Sequence, residues 1–305
     1  MIAIILMATI KHLVFEGGGP SGLYTYGAAK YLSIDNFWNI SDIETIYGTS
    51  IGAFLGVLFS LKYDWVTLDD YIIKRPWDKM LNISSDEMLK LWEDKGVLGE
   101  DIIRDALSPL IIAKDLTTNI SLKEFNEYNN IELHMFSVNL NSIPISIVDI
   151  SYKTHPDLTL ITALSMTMAF PFLFKPILND DGCFVDGGLL INLPLDPCIK
   201  NTNCDINEIL VFKNFWSINE NMMEPINKDT TLLRYWMIII HNLIKKLNNE
   251  YKMIDVPNVV NCIINNVSKY EDWGTILESR EQRIHCIKQG ESAGFLFKKY
   301  KLSSR

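Results

Sequence analysis

Hydrophobic residues in the first part of the chain follow a strand-like pattern and a helix-like pattern in turn. Short apolar runs at His12–Glu16 and Ile43–Tyr47 are typical of buried strands. Apolar residues in Leu23–Leu32 and Ile51–Leu61 recur at helical spacing, which predicts a helix after each strand. Ser21 stands where the first helix would have its N-cap. This alternation favours an α/β fold in which helices cover a sheet.

The rest of the chain predicts fewer strands and more helices. Trp65–Asn130 is polar and helical in pattern, with breaks at Pro76 and Pro109. Beyond it we predict strands at 131–140, 144–150, 184–185 and 208–212, a turn at 141–142 and a helix at 159–168. The chain after residue 216 is predicted to be mainly helical. No linker is evident, so we expect a catalytic domain at 11–215 and a mainly helical C-terminal extension at 216–305 packed on it.

Two apolar segments bear on localisation. Met1–Ile10 lacks the basic region of a secretory signal and is too short to span a bilayer. It is interpreted either as a leading strand or as residues upstream of a true start at Met7. Charged and polar residues interrupt Leu232–Leu247, which argues against a transmembrane helix. We therefore expect a cytoplasmic or intracellular protein with at most peripheral membrane contact.

Composition narrows the classes of function further. The 305 residues carry a formal net charge of −9, which disfavours nucleic-acid binding because no positive field attracts phosphates. The five cysteines are odd in number and widely spaced, so we interpret them as free thiols. The histidines show no metal-ligand spacing. We expect no metal site.

The first chemical motif is Gly48-Thr49-Ser50-Ile51-Gly52, between a predicted strand and a predicted helix. A serine on such a tight turn projects from the sheet, and the flanking glycines allow a strained turn and a close approach of substrate. The N-terminus of the following helix would place free N–H groups beside the serine oxygen. The motif therefore predicts a serine nucleophile at Ser50.

The second motif is the glycine-rich run Gly17-Gly18-Gly19-Pro20-Ser21-Gly22, directly after the first strand. One interpretation is a dinucleotide-binding loop, although no acidic residue ends a strand about twenty residues later, since Asp42 and Glu44 precede or begin it. The other is an oxyanion hole, because successive glycine N–H groups form a nest of donors. Both remain open on these residues alone.

The third motif is Asp186-Gly187-Gly188, which follows the predicted strand at 184–185. A serine nucleophile needs a base within hydrogen-bond reach. The downstream histidines, His241 and His285, do not follow an evident strand, where a hydrolase triad would place its base. An aspartate at the end of a buried strand could accept the serine proton directly, so these residues allow a Ser-Asp dyad.

Read together, the three motifs resemble the patatin-like phospholipases. Segments 163–176, 184–189 and 192–194 are similar to that family's connecting helix, proline-rich turn and aspartate strand, and the resemblance runs from about residue 11 to residue 197. It implies a three-layer α/β/α sandwich around a mainly parallel sheet, with no metal and no cofactor. It also implies cleavage of acyl esters in phospholipids, lysophospholipids or neutral glycerolipids.

The resemblance also assigns roles to residues. Ser50 would be the nucleophile and Asp186 the base, while the backbone N–H groups of Gly17, Gly18, Gly19 and Ile51 would hold the oxyanion. Gly22, Gly48, Gly52, Gly187 and Gly188 complete the motifs.

One residue departs from the family pattern. The family usually carries Arg or Lys where this chain has Ser21. A catalytically weak or inactive lipid-binding regulatory protein is therefore the alternative function. A second question concerns the apolar stripe of Leu232–Leu247, which is compatible with core packing or with contact at a lipid interface.

Overall fold

The computed structural model describes residues 8–80, 89, 91, 93–216, 226–249, 254–264 and 270–303. The segment before residue 8, including Met7, lies outside the described residues. At the centre is one mixed sheet of eight strands. The strands of the molecule are β1 (His12–Phe15), β2 (Thr45–Thr49), β3 (Gly96–Leu98), β4 (Glu132–Asn139), β5 (Ser146–Ile150), β6 (Phe172–Phe174), β7 (Ile177–Asn179), β8 (Gly182–Asp186), β9 (Ile209–Trp216) and β10 (Val259–Ile264).

The main sheet has the order β10-β9-β1-β2-β4-β8-β7, and β5 pairs with β4 on its other side. Its first five strands are parallel, whereas β5 and β8 are antiparallel to β4 and β7 is antiparallel to β8. The remaining strands, β3 and β6, form a separate parallel pair. The carboxyl ends of β1, β2 and β4 therefore lie along one edge of the sheet.

The described helices are α1 (Gly22–Ile34), α2 (Ile51–Ser60), α3 (Trp65–Lys74), α4 (Trp77–Met80), α5 (Glu100–Ile112), α6 (Leu122–Asn129), α7 (Leu160–Met168), α8 (Leu195–Thr202), α9 (Leu232–Asn249), α10 (Tyr270–Glu278) and α11 (Arg280–Ser303). Side chains of β1 alternate between two cores: Leu13 and Phe15 pack with α1, α2 and α7, and Val14 packs with α8 on the opposite face. Helices thus cover both faces of the sheet, as the family resemblance implied.

The last helix packs tightly against the first. A Cβ atom at Gly290 of α11 would lie 2.0 Å from the carbonyl oxygen of Tyr24 in α1. One at Gly27 of α1 would lie 2.0 Å from the carbonyl oxygen of Ile287. Glycine at both positions lets the two backbones touch, so α11 belongs to the helical layer that covers the sheet.

Three local expectations need correction. Pro109 does not break the chain but lies inside α5. The Asp105 carbonyl, four residues earlier, accepts a hydrogen bond from the Arg75 guanidinium at 2.5 Å, which replaces the bond that proline cannot donate. The second correction is β3, a short strand in a segment predicted to be helical. The third is β10, a strand in the tail that pairs parallel with β9 and extends the main sheet.

Candidate active site

Ser50 lies at the turn between β2 and α2, at the edge formed by the carboxyl ends of the parallel strands. Its backbone has φ 54° and ψ −125°, a strained conformation for a residue with a side chain. The Ser50 N–H donates to the Thr167 hydroxyl at 2.9 Å, and that hydroxyl donates to the Phe136 carbonyl. This pair of hydrogen bonds ties the strained turn to β4.

The two glycines beside Ser50 are required by close backbone contacts. A Cβ atom at Gly48 would lie 2.5 Å from the backbone nitrogen of Ala53 in α2. One at Gly52 would lie 2.5 Å from the carbonyl oxygen of Phe15 at the end of β1. The glycines therefore let α2 start against both strands, and they permit the strained turn that the motif predicted.

Asp186 reaches Ser50 through the register of β4. Thr49, the last residue of β2, pairs with Phe136 of β4, and Asp186, the last residue of β8, pairs with the next residue, Ser137. Since β5 pairs with Phe136 and Ser137 from the other side, β2 and β8 meet end to end on the same side of β4. The structure thus brings together two motifs that are far apart in the sequence.

The Asp186 carboxyl group is buried, with 3% of the residue exposed. Burial raises the pKa of Asp186 to about 6, although hydrogen bonds with the Ser50 side chain and the Gly188 N–H act in the opposite direction. The Gly188 bond is 2.7 Å long. A carboxylate with its pKa near neutrality is a stronger base than an exposed aspartate and is still ionised at pH 7.

The glycine-rich run lies against this turn, because a Cβ atom at Gly17 would be 3.4 Å from the Ser50 Cβ. The Gly17 N–H donates to the Asn192 carbonyl at 3.0 Å, so it is already occupied and the assignment of Gly17 as an oxyanion donor needs correction. In the described part of the chain, the N–H groups of Gly18, Gly19 and Ile51 have no acceptor. These three N–H groups therefore remain available as donors.

Ser21 is buried, and its hydroxyl donates to the Gly18 carbonyl at 2.9 Å instead of capping α1. Ser21 occupies the N-cap position predicted from the sequence, although its side chain makes no capping hydrogen bond. The bond from Ser21 to Gly18 closes the glycine loop on itself. The residue that departs from the family pattern thus orders the loop without a cation.

Sequence reasoning missed a polar cluster that holds the glycine loop. The Asn214 side chain donates to the Gly17 carbonyl at 2.9 Å, and the Asn214 N–H donates to the Glu16 carboxylate at 2.6 Å. Asn192 donates to the other Glu16 oxygen at 3.1 Å. Burial raises the pKa of Glu16 to about 7, against the effect of these donors. Glu16 directly precedes the glycine-rich run, and this position in the sequence could have indicated its role in holding the loop.

The dinucleotide interpretation finds no acidic residue where it requires one. Asp42 and Glu44 precede β2, and the carboxyl end of β2 leads into Ser50 instead. Among the described residues, no group of three or more His, Cys, Asp or Glu side chains could hold a metal ion. The free thiols predicted for the five cysteines are confirmed.

The helix α9 lies beside this site. The Trp236 ring stacks on Phe172 with 5.6 Å between the ring centres. Trp236, Leu243 and Leu247, which belong to the apolar stripe predicted from sequence, are each at least 40% exposed. Core packing therefore does not account for them. The side chains of Leu233 and Met237 lie outside the described residues. None of the helices in the described segments is long and apolar enough to span a bilayer.

Comparison with known proteins finds one matching family profile and several relatives. The profile of the patatin-like phospholipase family matches residues 13–199. A protein of invertebrate iridescent virus 6, named probable lipid hydrolase 463L, is 26% identical over 282 residues, which cover 92% of this chain and 89% of that protein. Lysophospholipase NTE1 of Meyerozyma guilliermondii is 25% identical over 265 residues, which cover 85% of this chain and 16% of that protein.

Among solved structures, VipD of Legionella pneumophila is similar with a TM-score of 0.49 and 16% identity, over 92% of this chain and 67% of that chain. The type III effector ExoU is similar with a TM-score of 0.42 and 12% identity, over 92% of this chain and 53% of that chain. The family profile covers more than half of this sequence and includes all three motifs of the site. On that match, the chain belongs to the patatin-like phospholipase family.

Proposed function

We propose that this protein is a lipid acyl hydrolase of the phospholipase A or lysophospholipase type, with Ser50 as nucleophile and Asp186 as base. The observation that carries the proposal is the register of β4, which sets Asp186 against the turn at Ser50. The raised pKa of the buried Asp186 supports its role as a base. The names of the viral and yeast relatives support a lipid substrate.

In the first half of the reaction, Ser50 Oγ attacks the ester carbonyl carbon while an Asp186 carboxylate oxygen takes its proton. The carbonyl oxygen becomes an oxyanion, and the N–H groups of Gly18, Gly19 and Ile51 act as its donors. The absence of an acceptor for these groups among the described residues supports this role. The bond to the alcohol oxygen then breaks. The leaving oxygen takes the proton from Asp186, which leaves the fatty acyl group esterified to Ser50.

In the second half, Asp186 takes a proton from a water molecule that attacks the acyl carbon. The same donors hold the second oxyanion. The bond to Ser50 Oγ breaks, and Ser50 recovers its proton from Asp186. The fatty acid leaves, and both residues return to their starting protonation states. The sequence of steps uses one carboxylate and no histidine.

The test is hydrolysis of a soluble short-chain p-nitrophenyl ester by Ser50→Ala and Asp186→Asn variants. Each substitution is expected to lower kcat by about 10³-fold or more. Ser60→Ala, at the end of α2, and Asp181→Asn, exposed before β8, are matched controls that should retain activity. Unchanged turnover in both site variants would refute the dyad.

A fluorophosphonate probe separates this function from the inactive lipid-binding alternative, because only an activated serine reacts with it. Labelling of the native protein and its loss in Ser50→Ala is the expected result. The Ser21 departure, which was the support for the inactive alternative, is offset by the hydrogen bond from Ser21 to Gly18.

A further inference from the structure

The turn between β4 and β5 projects from the same edge of the sheet as the dyad. β4 is parallel to β2, and its last residue, Asn139, lies three positions beyond the one that pairs with Thr49. At 3.3 Å per residue, the turn begins about 10 Å beyond the level of Ser50. We call residues 140–145 the edge turn.

The edge turn exposes large apolar side chains. Ile143 is 99% exposed and Ile145 is 50% exposed. The turn is nevertheless ordered, since the Ser142 hydroxyl hydrogen-bonds the Asn139 carbonyl at 2.9 Å and the Ser146 hydroxyl at 2.8 Å. Holding an isoleucine in water carries a cost that burial in an apolar medium would remove. The edge turn is therefore a preformed apolar projection.

The adjoining turn between β7 and β8 lies beside it. Asn139 donates to the Asp181 carbonyl at 3.0 Å and accepts from the Cys183 N–H. Leu178, the middle residue of β7, is also exposed. A second apolar side chain thus stands close to the edge turn.

The charges around the edge turn indicate which type of lipid surface it could contact. Residues 139–147 carry no charge, and the neighbouring Asp180 and Asp181 are exposed acids. The whole chain has a net charge of −9. An anionic lipid surface would repel this edge, whereas a zwitterionic surface leaves the apolar contribution unopposed.

We propose that the edge turn inserts Ile143 and Ile145 into a zwitterionic phospholipid surface and so sets the dyad facing the lipid. The inference rests on the proposed lipid hydrolase function, since the projecting turn and Ser50 share one edge of the sheet. Insertion depends on apolar burial, so binding should be insensitive to salt.

The experiment measures co-sedimentation with phosphatidylcholine vesicles, in a Ser50→Ala background that leaves the lipid intact. Ile143→Ser with Ile145→Ser is expected to weaken binding about tenfold or more, from the loss of two apolar side chains. Ile34→Ser is the matched control, because Ile34 is 60% exposed at the far end of α1. Equal binding by the double variant and its parent would overturn the proposal.

Two further measurements define the partner. Binding should persist at high salt and should not increase when phosphatidylglycerol replaces part of the phosphatidylcholine. Binding only to the anionic vesicles, with loss in salt, would overturn the proposal. Self-association that disappears in the double variant, without a change in vesicle binding, would also overturn it, since the turn would then contact a second copy.

Activity separates this inference from the proposed function. With Ser50 intact, the double variant should hydrolyse the soluble ester at the native rate and vesicle phospholipid about tenfold more slowly. If the double variant hydrolyses both substrates at native rates, insertion of the edge turn is refuted and the proposed hydrolase function stands. A native chain that binds vesicles through the turn but hydrolyses no ester would reject the hydrolase.

Discussion

Ser50 and Asp186 are held together by a strand to which neither belongs. Thr49 and Asp186 pair with adjacent residues of β4, so the separation of the two side chains depends on sheet register. Hydrogen bonds of β4 fix that register over both contacts. The Ser50 turn and the end of β8 therefore have little freedom to move apart, which is the property that the proposed proton transfer between them requires.

The pKa of Asp186 predicts the acid limb of activity. Because burial raises the pKa of Asp186 to about 6, the base is protonated below that pH and ionised above it. With a soluble ester, kcat/KM should rise with pH up to about 6 and level off above it. A profile flat down to pH 4 would contradict the role of Asp186 as the base.

The same shift predicts that Asp186 costs stability at neutral pH. Its folded-state pKa is above the unfolded value of 3.8, so its contribution is favourable below about pH 4 and is lost as pH rises through about 6. The difference in unfolding free energy between Asp186→Asn and the native chain should increase by about 2 kcal/mol from pH 4 to pH 8. Urea denaturation at both pH values measures it, and a pH-independent difference would contradict the shift.

Thr167 is predicted to support the strained turn. Thr167→Val removes the acceptor of the Ser50 N–H while keeping the side-chain shape. We expect a loss of about 1–3 kcal/mol of stability, measured by urea denaturation, together with a lower kcat. Ser165→Ala in the same helix is the control, because its hydroxyl bonds only the Ile161 carbonyl of that helix. Equal effects of the two variants would argue against a specific role for Thr167.

Glu16 is predicted to position the glycine loop. Glu16→Ala removes the acceptor for the Asn214 N–H and for the Asn192 side chain. The side chains of both asparagines donate to the Gly17 carbonyl. We expect kcat to fall about tenfold with little change in KM, since the proposed oxyanion donors would act mainly in the transition state. Glu16→Gln keeps one acceptor and should restore part of the rate.

The control for Glu16 is Glu44→Ala, an exposed acid that precedes β2 at the opposite edge of the sheet. Steady-state kinetics on the soluble ester should leave it unchanged. A rise in KM at constant kcat in Glu16→Ala would instead indicate substrate contact.

The close contact between α1 and α11 predicts that stability is sensitive to added side-chain volume there. Gly290→Ala sets a Cβ atom against the Tyr24 carbonyl and is expected to destabilise the fold by about 1–3 kcal/mol through overpacking. Gly274→Ala is the matched control, because nothing lies within 4 Å of its Cβ position and alanine favours a helix. Thermal unfolding of the two variants should move in opposite directions.

Several elements could be predicted from the sequence because each is determined by the residues of one short segment. The strands β1 and β2, the helix α2 and the turn at Ser50 follow from apolar spacing and from glycines that permit close contacts. The pairing of Asp186 with Ser137 could not follow from spacing, because register between distant strands is set by tertiary packing. The family resemblance implied that Ser50 and Asp186 act together, but it did not give this strand pairing.

The missed features depend on partners that are distant in sequence. Pro109 stays in a helix because Arg75 satisfies the carbonyl that proline leaves free. The Gly17 N–H, which was predicted to be an oxyanion donor, donates to the Asn192 carbonyl instead. Asn192 lies 175 positions further along the chain. The strand β10 lies in the C-terminal tail, whose sequence carries no family motif. Its strand conformation depends on parallel pairing with β9.

The position of Asn214 in β9 limits where the chain can be truncated. A chain cut at residue 199, the end of the family match, would retain Ser50 and Asp186 but lose β9, which carries Asn214. The strand β1, interior in the whole sheet, would become an open edge prone to pairing with other chains. The glycine loop that follows β1 would lose the amide that holds Gly17. We therefore expect the segment that matches the family profile to be too short to fold and act by itself. A truncation series should lose solubility and turnover together at β9.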